Sequence, residues 1–342
     1  MSKEKKKVDL SNDKAIQKAF GKVISKGSEL ISVKKNLKTL TVSPVLDIAL
    51  NGGLLEGSWV LISGDAKTGK STTCLQICKN AQEEGRPVIY VDGESRLKAY
   101  NLSGTQGLDL EKMQIVHSPE DSESLSAEDF LDIASSLIKR PENNGAVCVI
   151  DSCSSLIPRV ELEEGASGSI RGGLPKLLSH WVKTITQDVV KNKIILIIIT
   201  HYITNTSGYG KIKNPDCGVK IQYAADTKLD IAKIEPWEEN GKKIGQLVHW
   251  KVGCSSLGSS GTDCISYIKY NKGIDKEKEI IELAESFGVI EKGGAWYSIP
   301  FLDKSHGFEE SPKFQGQTKI YDFLVERKDI FELIKKQVKE ML

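Results

Sequence analysis

The 342-residue sequence has no long apolar run and almost no net charge. No hydrophobic stretch approaches the roughly 18 residues that cross a bilayer, which argues against a membrane protein. The first residues, Met-Ser-Lys-Glu-Lys-Lys-Lys, are too polar for a secretory signal. With 47 basic and 46 acidic residues the formal net charge is +1. Any affinity for nucleic acid must therefore come from local basic segments, or from many subunits acting along one strand.

Cysteine is present without the pattern of a disulfide framework. Cys74 and Cys78 lie four residues apart in a helix-like stretch, but no further Cys or His pattern supports a metal site. Buried reduced thiols are therefore favoured over a metal site, and a cytoplasmic protein is expected. The cysteines are odd in number and scattered: Cys74, Cys78, Cys148, Cys153, Cys217, Cys254 and Cys264.

The amino-terminal 37 residues form a lysine-rich leader followed by an amphipathic segment. Within residues 15–24, the apolar side chains recur at helical spacing and share one face. Such a helix must pack either on the core of its own chain or on a neighbouring subunit. The residues on this face are Ile16, Ala19, Phe20, Val23 and Ile24.

From about residue 40 to 270, short apolar runs alternate with helical stretches. Residues 58–63, 88–92 and 146–151 read as strands, and residues 194–200 are nearly all β-branched or Leu, which is typical of a strand buried on both faces. The alternation predicts βαβ units and an α/β fold with a mainly parallel central sheet.

After Thr227 the pattern changes, because strand-like runs follow one another without long helices between them. They occupy residues 228–234, 246–252 and 264–270, and they predict antiparallel strands added at one edge of the sheet. A compact tail with helix-like segments at 276–287 and 328–341 follows. The expected organisation is 1–37, an amino-terminal segment; 38–273, the α/β core; and 274–342, a small carboxyl-terminal domain.

Residues 64–71 fit the pattern G-x-x-x-x-G-K-[ST] in full, with a strand before them and a helix after. Glycines let backbone N–H groups close around phosphate oxygens, and the helix amino terminus adds partial positive charge. Lys70 is expected to reach the β- and γ-phosphates of ATP, and the Ser71 hydroxyl to ligate Mg²⁺. The predicted nucleotide-binding residues are Gly64, Asp65, Ala66, Lys67, Thr68, Gly69, Lys70, Ser71 and Thr72.

Three polar residues at strand ends complete a hydrolytic site. Asp151 is expected to hold Mg²⁺ through water, the alternative being a polar strand terminus. Glu94 lies where ligands bind in open α/β sheets, and is expected to activate the attacking water; the alternative is a solvated loop residue. His201 is expected to sense the γ-phosphate and pass its state to the following loop, unless it is a helper with no switching role.

These segments, in this order, resemble the RecA family of recombinases over most of the chain. Residues 46–54 are similar to the family's entry segment, 90–94 to the strand with its catalytic glutamate, and 149–152 to its Walker B strand. Residues 295–298 and 334–340 resemble its small carboxyl-terminal domain. The resemblance implies a RecA-like P-loop ATPase core, an amino-terminal polymerisation segment, and catalytic roles for Lys70, Glu94 and His201.

The resemblance also implies two DNA-facing segments. In residues 158–175 and just beyond, Arg171 and Lys176 are expected to meet phosphates. In residues 203–218, lysines and one aromatic suit single-strand binding by charge and stacking. Without the resemblance, either segment reads as a mobile loop. The expected DNA-binding residues are Arg171, Lys176, Tyr209, Lys211 and Lys213.

Three further positions can be compared with their counterparts in the family. Tyr270 resembles the tyrosine that stacks near the adenine of ATP, the alternative being a strand-end tyrosine packed on its neighbours. His201 stands where the family has a glutamine, as in phage UvsX-like recombinases. Residues 252–256 contain none of the lysines that reach across the subunit interface in bacterial members, and Lys251 is out of register. These departures favour a phage-encoded or otherwise divergent member.

The resemblance implies a DNA-dependent ATPase that forms helical filaments on single-stranded DNA and promotes homologous pairing. Its partners would be single- and double-stranded DNA, further copies of the chain, and a mediator or single-strand-binding protein, but no membrane. Its location would be the cytoplasm, that of the host for a phage protein. The alternatives are a hexameric helicase or motor, and a regulatory protein that binds ATP and acts through a protein partner. A kinase is disfavoured, since no acceptor lid lies between the motifs.

Overall fold

The structure is a computed structural model with two units, Met1–Lys38 and Thr39–Leu342. No helix within the described part of the chain is long and apolar enough to cross a bilayer. The residues described are 10, 12–34, 36–121, 123–165, 173–205, 212–239, 241–258 and 260–341.

The first unit contains two short helices, α1 (Asp13–Phe20) and α2 (Gly27–Lys34). Asn12 caps α1, because its side chain accepts a hydrogen bond from the Ala15 N–H at 3.0 Å. The helix ends at Phe20, since Gly21 adopts a φ of +80°. The amphipathic face predicted over residues 15–24 is therefore shorter than expected. No residue of α1 is buried.

The second unit contains the remaining helices and strands. Its helices are α3 (Pro44–Ala49), α4 (Lys70–Glu83), α5 (Ala99–Ser103), α6 (Ala127–Ile138), α7 (Arg159–Glu164), α8 (Gly173–Lys191), α9 (Gly218–Ala224), α10 (Lys276–Ser286), α11 (Gln317–Glu326) and α12 (Lys328–Glu340). Its strands are β1 (Thr39–Leu40), β2 (Leu54–Leu55), β3 (Ser58–Gly64), β4 (Val88–Asp92), β5 (Met113–Val116), β6 (Val147–Asp151), β7 (Ile195–Asn205), β8 (Ile212–Pro215), β9 (Thr227–Glu239), β10 (Lys242–Cys254), β11 (Thr262–Lys269), β12 (Gly273–Ile274), β13 (Glu291–Gly293), β14 (Trp296–Ser298) and β15 (Lys313–Gln315).

One large sheet organises this unit, with the strand order β12-β11-β10-β9-β3-β7-β6-β4-β5. The six neighbouring strands β9, β3, β7, β6, β4 and β5 run parallel. Strands β10, β11 and β12 extend the sheet beyond β9 in antiparallel order, and β8 pairs antiparallel with β7. Every residue of β3, β4 and β6 is buried, as expected for parallel strands covered on both faces. The predicted α/β fold with a mainly parallel sheet and antiparallel edge strands is confirmed.

Helices cover both faces of this sheet and leave the carboxyl ends of its strands open. Helix α4 buries Leu75, Ile77 and Cys78 against one face. Helices α6 and α8 cover the other, where Trp181 meets Trp59 edge-on with ring centroids 5.6 Å apart. The five buried cysteines belong to these two cores, and all seven cysteines are free thiols.

The carboxyl-terminal part of the unit, from about residue 276 onward, has its own hydrophobic core. The sequence predicted helices at 276–287 and 328–341, and α10 and α12 agree to within one residue at each end. The antiparallel strands β13, β14 and β15 complete this region. The boundary between residues 273 and 274 stays a prediction. Core residues include Ile280, Ile281, Ala284, Ile320, Leu324, Ile330, Ile334 and Val338.

A buried ion pair connects the residues that follow α4 to those that precede β3. Arg86 Nη1 lies 2.8 Å from Glu56 Oε1, and both side chains are less than a tenth exposed. Arg86→Ala is expected to lower the free energy of unfolding by about 3 kcal/mol or more, because it deprives a buried carboxylate of its cation. Urea denaturation without nucleotide measures this loss. Arg327→Ala, which breaks the exposed pair with Asp329, should cost less than about 1 kcal/mol; equal losses would contradict the argument.

Glu279 on α10 is a second buried acid, and its burial makes stability depend on pH. It is fully buried, its Oε2 accepts the Val45 N–H at 3.2 Å, and burial raises its pKa from 4.5 to about 7. The folded state thus holds this proton more tightly than the unfolded state does. Its contribution to stability is full below about pH 4.5 and is lost as the pH rises towards 7.

Glu279→Gln removes this titration while retaining an oxygen that accepts from Val45. Between pH 5 and pH 8, the wild type should lose stability relative to the variant, by at most about 3 kcal/mol. Denaturant unfolding of both proteins at several pH values tests this. Parallel pH curves would show that Glu279 does not titrate in this range.

Candidate ATP site

The phosphate loop lies where β3 ends and α4 begins. All nine predicted residues of the loop and the first helical turn therefore share one end of the sheet. Lys67 has a φ of +61° and Gly69 a φ of +101°, so both bend the loop in the left-handed region. Position 69 favours glycine, because its φ of +101° would strain any other residue and a Cβ atom there would lie 2.7 Å from Ile268 Cδ1 and 2.9 Å from Gln246 Nε2, so these side chains would have to shift. The loop thus presents the amino terminus of α4 as an anion site.

Lys70 is the buried cation of this loop, with 4% of its surface exposed. Its Nζ donates to the carbonyl oxygens of Gly64 at 2.9 Å and Asp65 at 2.6 Å, and lies 3.3 Å from His201 Nδ1. Burial lowers the pKa of Lys70, while the carboxylates of Asp151 and Glu94 oppose this shift. The ammonium group is therefore held by backbone oxygens that phosphate oxygens of ATP can replace.

Asp151 lies at the end of β6, directly opposite Asp92 of β4. Its Oδ2 accepts a hydrogen bond from the Tyr90 hydroxyl at 2.5 Å, and the Ser71 hydroxyl also donates to this carboxylate. Burial raises the pKa of Asp151, and these two hydrogen bonds oppose the rise. The sequence-predicted pair Ser71 and Asp151 is thus in contact. A hydroxyl and a carboxylate are oxygen ligands that suit Mg²⁺, so the residues present fit this ion.

Glu94 follows β4 and is only partly exposed. Its Oε1 accepts a hydrogen bond from Ser152 Oγ at 2.9 Å and lies 2.6 Å from His201 Nε2, while Arg96 Nη1 lies 3.6 Å from Oε2. The hydrogen bond with His201 is the main cause that lowers the pKa of Glu94 to about 2. Glu94 is therefore an ionised carboxylate near neutral pH, and a cavity of about 560 Å³ opens beside it.

His201 connects the other two catalytic candidates. It lies on β7 opposite Gly64 of β3, with Nδ1 towards Lys70 and Nε2 towards Glu94. A neutral imidazole protonated at Nε2 satisfies both contacts, because Nε2 then donates to the carboxylate and Nδ1 accepts from the ammonium. The sequence indicated these three residues separately, and the structure places them in one continuous chain of hydrogen bonds.

Tyr270 directly follows β11 at the same end of the sheet, with 47% of its surface exposed. Its backbone N–H donates to the Ile244 carbonyl at 2.9 Å. Its stacking on adenine stays a prediction. No local pattern in the sequence indicates that Gln246 and Ile268 pack beside Gly69 as a wall of the loop, because Gly69 is distant from both in the chain.

The predicted DNA-binding residues fall into two groups. Lys176 is exposed on the first turn of α8. Lys213 on β8 turns towards the phosphate loop instead, with its Nζ 2.6 Å from Asp65 Oδ2 and 5.9 Å from the centre of the Tyr202 ring. The other three predicted residues, Arg171, Tyr209 and Lys211, lie outside the described residues.

The stretch 252–256, which contains none of the cross-subunit lysines, begins at the end of β10, beside a lysine of β9. Cys254 of β10 pairs with Lys228 of β9, and Lys251 is exposed on β10. Lys213, Lys228, Asp230 and Lys251 line a shared cavity of about 380 Å³. This end of the antiparallel extension is therefore basic.

Comparison with protein families shows to which family the chain belongs. The RecA N-terminal domain matches residues 7–275, and the RecA C-terminal domain matches residues 278–342. Protein RecA of Thermotoga neapolitana is 30% identical, over 99% of this chain and 93% of the relative. Protein RecA of Helicobacter hepaticus is 30% identical over 99% and 94%, and that of Bacillus velezensis 28% over 96% and 90%. The chain therefore belongs to the RecA family, the ATP-dependent DNA recombinases and DNA-dependent ATPases of recombination and repair.

Proposed function

We propose that this recombinase binds ATP with Mg²⁺ on the loop 64–72 and assembles as a helical filament on single-stranded DNA. The observation that carries the proposal is the contact chain from Lys70 through His201 to Glu94. It joins a phosphate-binding lysine, a residue at the base of a DNA-facing segment, and an ionised carboxylate. Such a chain couples the state of the nucleotide to the DNA-facing segment 203–218, which begins within β7.

In the hydrolytic step, Lys70 leaves the carbonyl oxygens of Gly64 and Asp65 for the β- and γ-phosphates. Ser71 and Asp151 hold Mg²⁺, which neutralises charge on the phosphate oxygens when it is bound. Glu94 accepts a proton from the attacking water, whose oxygen forms a bond to the γ-phosphorus as the bond to ADP breaks. The products are ADP and phosphate, and the proton resides on Glu94 before it returns to solvent.

His201 transmits the state of the nucleotide along β7 to the DNA-facing segment. Its Nδ1 contact with Lys70 is lost when the ammonium moves to phosphate, while its Nε2 contact with Glu94 remains, so His201 senses the γ-phosphate through the movement of Lys70. Strand β7 continues from His201 directly into the segment 203–218. ATP therefore favours one arrangement of this segment and the products another, which is a shift of population between states of different DNA affinity.

The DNA contacts are assigned to both segments. Arg171, Lys176, Lys211 and Lys213 would bind phosphates, and Tyr209 would stack on a base. Tyr270 would stack on the adenine of ATP. The partners are single- and double-stranded DNA, further copies of the chain, and a mediator or single-strand-binding protein. The proposed location is the cytoplasm, that of the host if a phage encodes the chain.

Two other functions have less support than the recombinase. A hexameric helicase would share the phosphate loop, but the match to the RecA C-terminal domain over residues 278–342 favours a recombinase. A regulatory protein would not need a hydrolytic site, whereas Lys70, Glu94 and Asp151 all lie at the loop with complementary contacts. The lysine-free stretch 252–256 is the feature that favours the regulatory alternative.

Negative-stain electron microscopy with single-stranded DNA and a slowly hydrolysed ATP analogue tests the proposal. Continuous helical filaments that vanish without nucleotide are expected. Closed rings would favour the helicase, and dispersed monomers under every condition would favour the regulatory protein; either result overturns the proposal.

A further inference from the structure

Asp65, the second residue of the phosphate loop, is held at two points. Its carbonyl oxygen accepts a hydrogen bond from Lys70 Nζ at 2.6 Å. Its carboxylate Oδ2 lies 2.6 Å from Lys213 Nζ. One residue therefore touches both the lysine assigned to the phosphates of ATP and a lysine assigned to DNA.

The position of Lys213 makes this contact a property of the fold. Strand β8 pairs antiparallel with the end of β7, so Lys213 lies opposite Thr204 and close to the loop. Its ammonium group passes over the ring of Tyr202, whose hydroxyl donates to Asp230 Oδ1 at 2.9 Å. The side chain is thus folded back along the sheet edge towards Asp65.

While it is paired with Asp65, the ammonium group of Lys213 is less available to a DNA phosphate, because the carboxylate offsets its charge and holds it beside the loop. The side chains of Asp65 and Lys213 are each about half exposed, at 53% and 50%. An exposed pair of this kind is weak, and a phosphate is a competing acceptor of similar chemistry. The contact with Asp65 is therefore exchangeable, and its effect on DNA affinity should be modest and measurable.

We propose that Asp65 restrains DNA binding by the nucleotide-free protein, because it holds Lys213 away from DNA phosphates. When Lys70 moves to the phosphates of ATP, Asp65 loses the hydrogen bond between its carbonyl oxygen and Lys70. Lys213 then becomes available to DNA. This inference rests on the proposed function, since it takes Lys213 as a DNA contact. Asp65 is then a positioning residue that acts on DNA through Lys213.

The experiment measures binding of a labelled single-stranded oligonucleotide by anisotropy, without nucleotide and at one fixed salt concentration. Asp65→Asn is expected to bind about two- to fivefold more tightly than the wild type, the range for loss of a weak exposed pair. Glu238→Gln, which removes the same charge from an exposed position near the end of β9, should change affinity less than twofold. Asp65→Asn should have no effect when Lys213→Ala is also present.

The double variant separates a specific restraint from a general change of charge. If Asp65→Asn binds like Glu238→Gln, or tightens binding equally in the Lys213→Ala background, the inference is wrong although the recombinase remains. If the wild type binds no single-stranded DNA even with an ATP analogue, the proposed function fails, and the inference fails with it. Omitting nucleotide keeps any effect of Asp65 on ATP affinity out of the comparison.

Discussion

Lys70→Ala is expected to weaken ATP binding at least about 100-fold and to abolish nucleotide-dependent filaments on single-stranded DNA. The ammonium group makes two hydrogen bonds to loop carbonyl oxygens, which show that it reaches across the loop. In the complex it would make charge-assisted hydrogen bonds to phosphate, each worth about 1.5–3 kcal/mol. Loss of two such bonds accounts for the expected factor. Titration with a fluorescent ATP analogue measures the affinity, and electron microscopy the filaments.

Lys79→Ala is the matched control, because Lys79 lies on the same helix and forms a partly exposed pair with Glu83. Its ATP affinity should stay within about twofold of the wild type. Lys70 is buried, so thermal unfolding of Lys70→Ala must be compared with the wild type before the result is interpreted. Lys70→Arg keeps the charge and should restore part of the binding. A folded Lys70→Ala protein with wild-type ATP affinity would disprove the role assigned to Lys70.

Local patterns in the sequence predicted four of the six parallel strands, β3, β4, β6 and β7, whereas β5 was not predicted and β9, expected as an antiparallel addition, pairs parallel with β3. Strands β3, β4 and β6 and residues 195–200 of β7 are buried, so these runs consist mainly of β-branched and aliphatic residues. The phosphate loop is also local, since eight consecutive residues determine it. Because parallel strands end at one edge, the proximity of Glu94, Asp151 and His201 followed from their predicted positions at or near strand ends.

The antiparallel extension was harder to predict. The sequence indicated strands at 228–234 and 246–252, whereas β9 and β10 each span 13 residues. Their extra residues form a largely exposed hairpin with Pro236 and several charges, so no apolar alternation marks it. Trp237 stabilises it by edge-on contact with Tyr267 at 5.4 Å, a pairing that only the fold reveals.

Side-chain partners across the site were the least predictable feature. Lys70 and His201 are 131 residues apart, and Asp65 and Lys213 are 148 apart. Lys213 was predicted as a DNA contact because of the family resemblance and its segment's composition, and neither indicates where its ammonium group lies without DNA. Composition gives the charge of a segment, whereas the pairing of β8 with β7 decides which acceptor that charge meets.

Glu94→Gln is expected to lower kcat for ATP hydrolysis at least about 100-fold, the range for loss of a general base, while ATP binding stays within a few fold. Glutamine keeps the oxygen that accepts from Ser152, so the geometry is retained and only the proton acceptor is lost. Filaments formed with ATP should consequently persist instead of dissolving. Steady-state phosphate release and electron microscopy over time measure the two effects. Glu111→Gln, an exposed carboxylate on the same unit, should hydrolyse ATP at the wild-type rate.

The pH profile separates a base from a merely structural carboxylate. His201 is the main cause that holds the pKa of Glu94 near 2, so the base is ionised well below pH 5 and should not limit wild-type activity there. His201→Ala removes this cause, and the pKa of Glu94 should rise towards its ordinary value of 4.5. The acid limb of kcat should then shift to higher pH in the variant, in addition to any uniform loss of rate. If hydrolysis survives in Glu94→Gln and the acid limb does not move in His201→Ala, another group activates the water, and the chain from Lys70 to Glu94 serves only to position the loop.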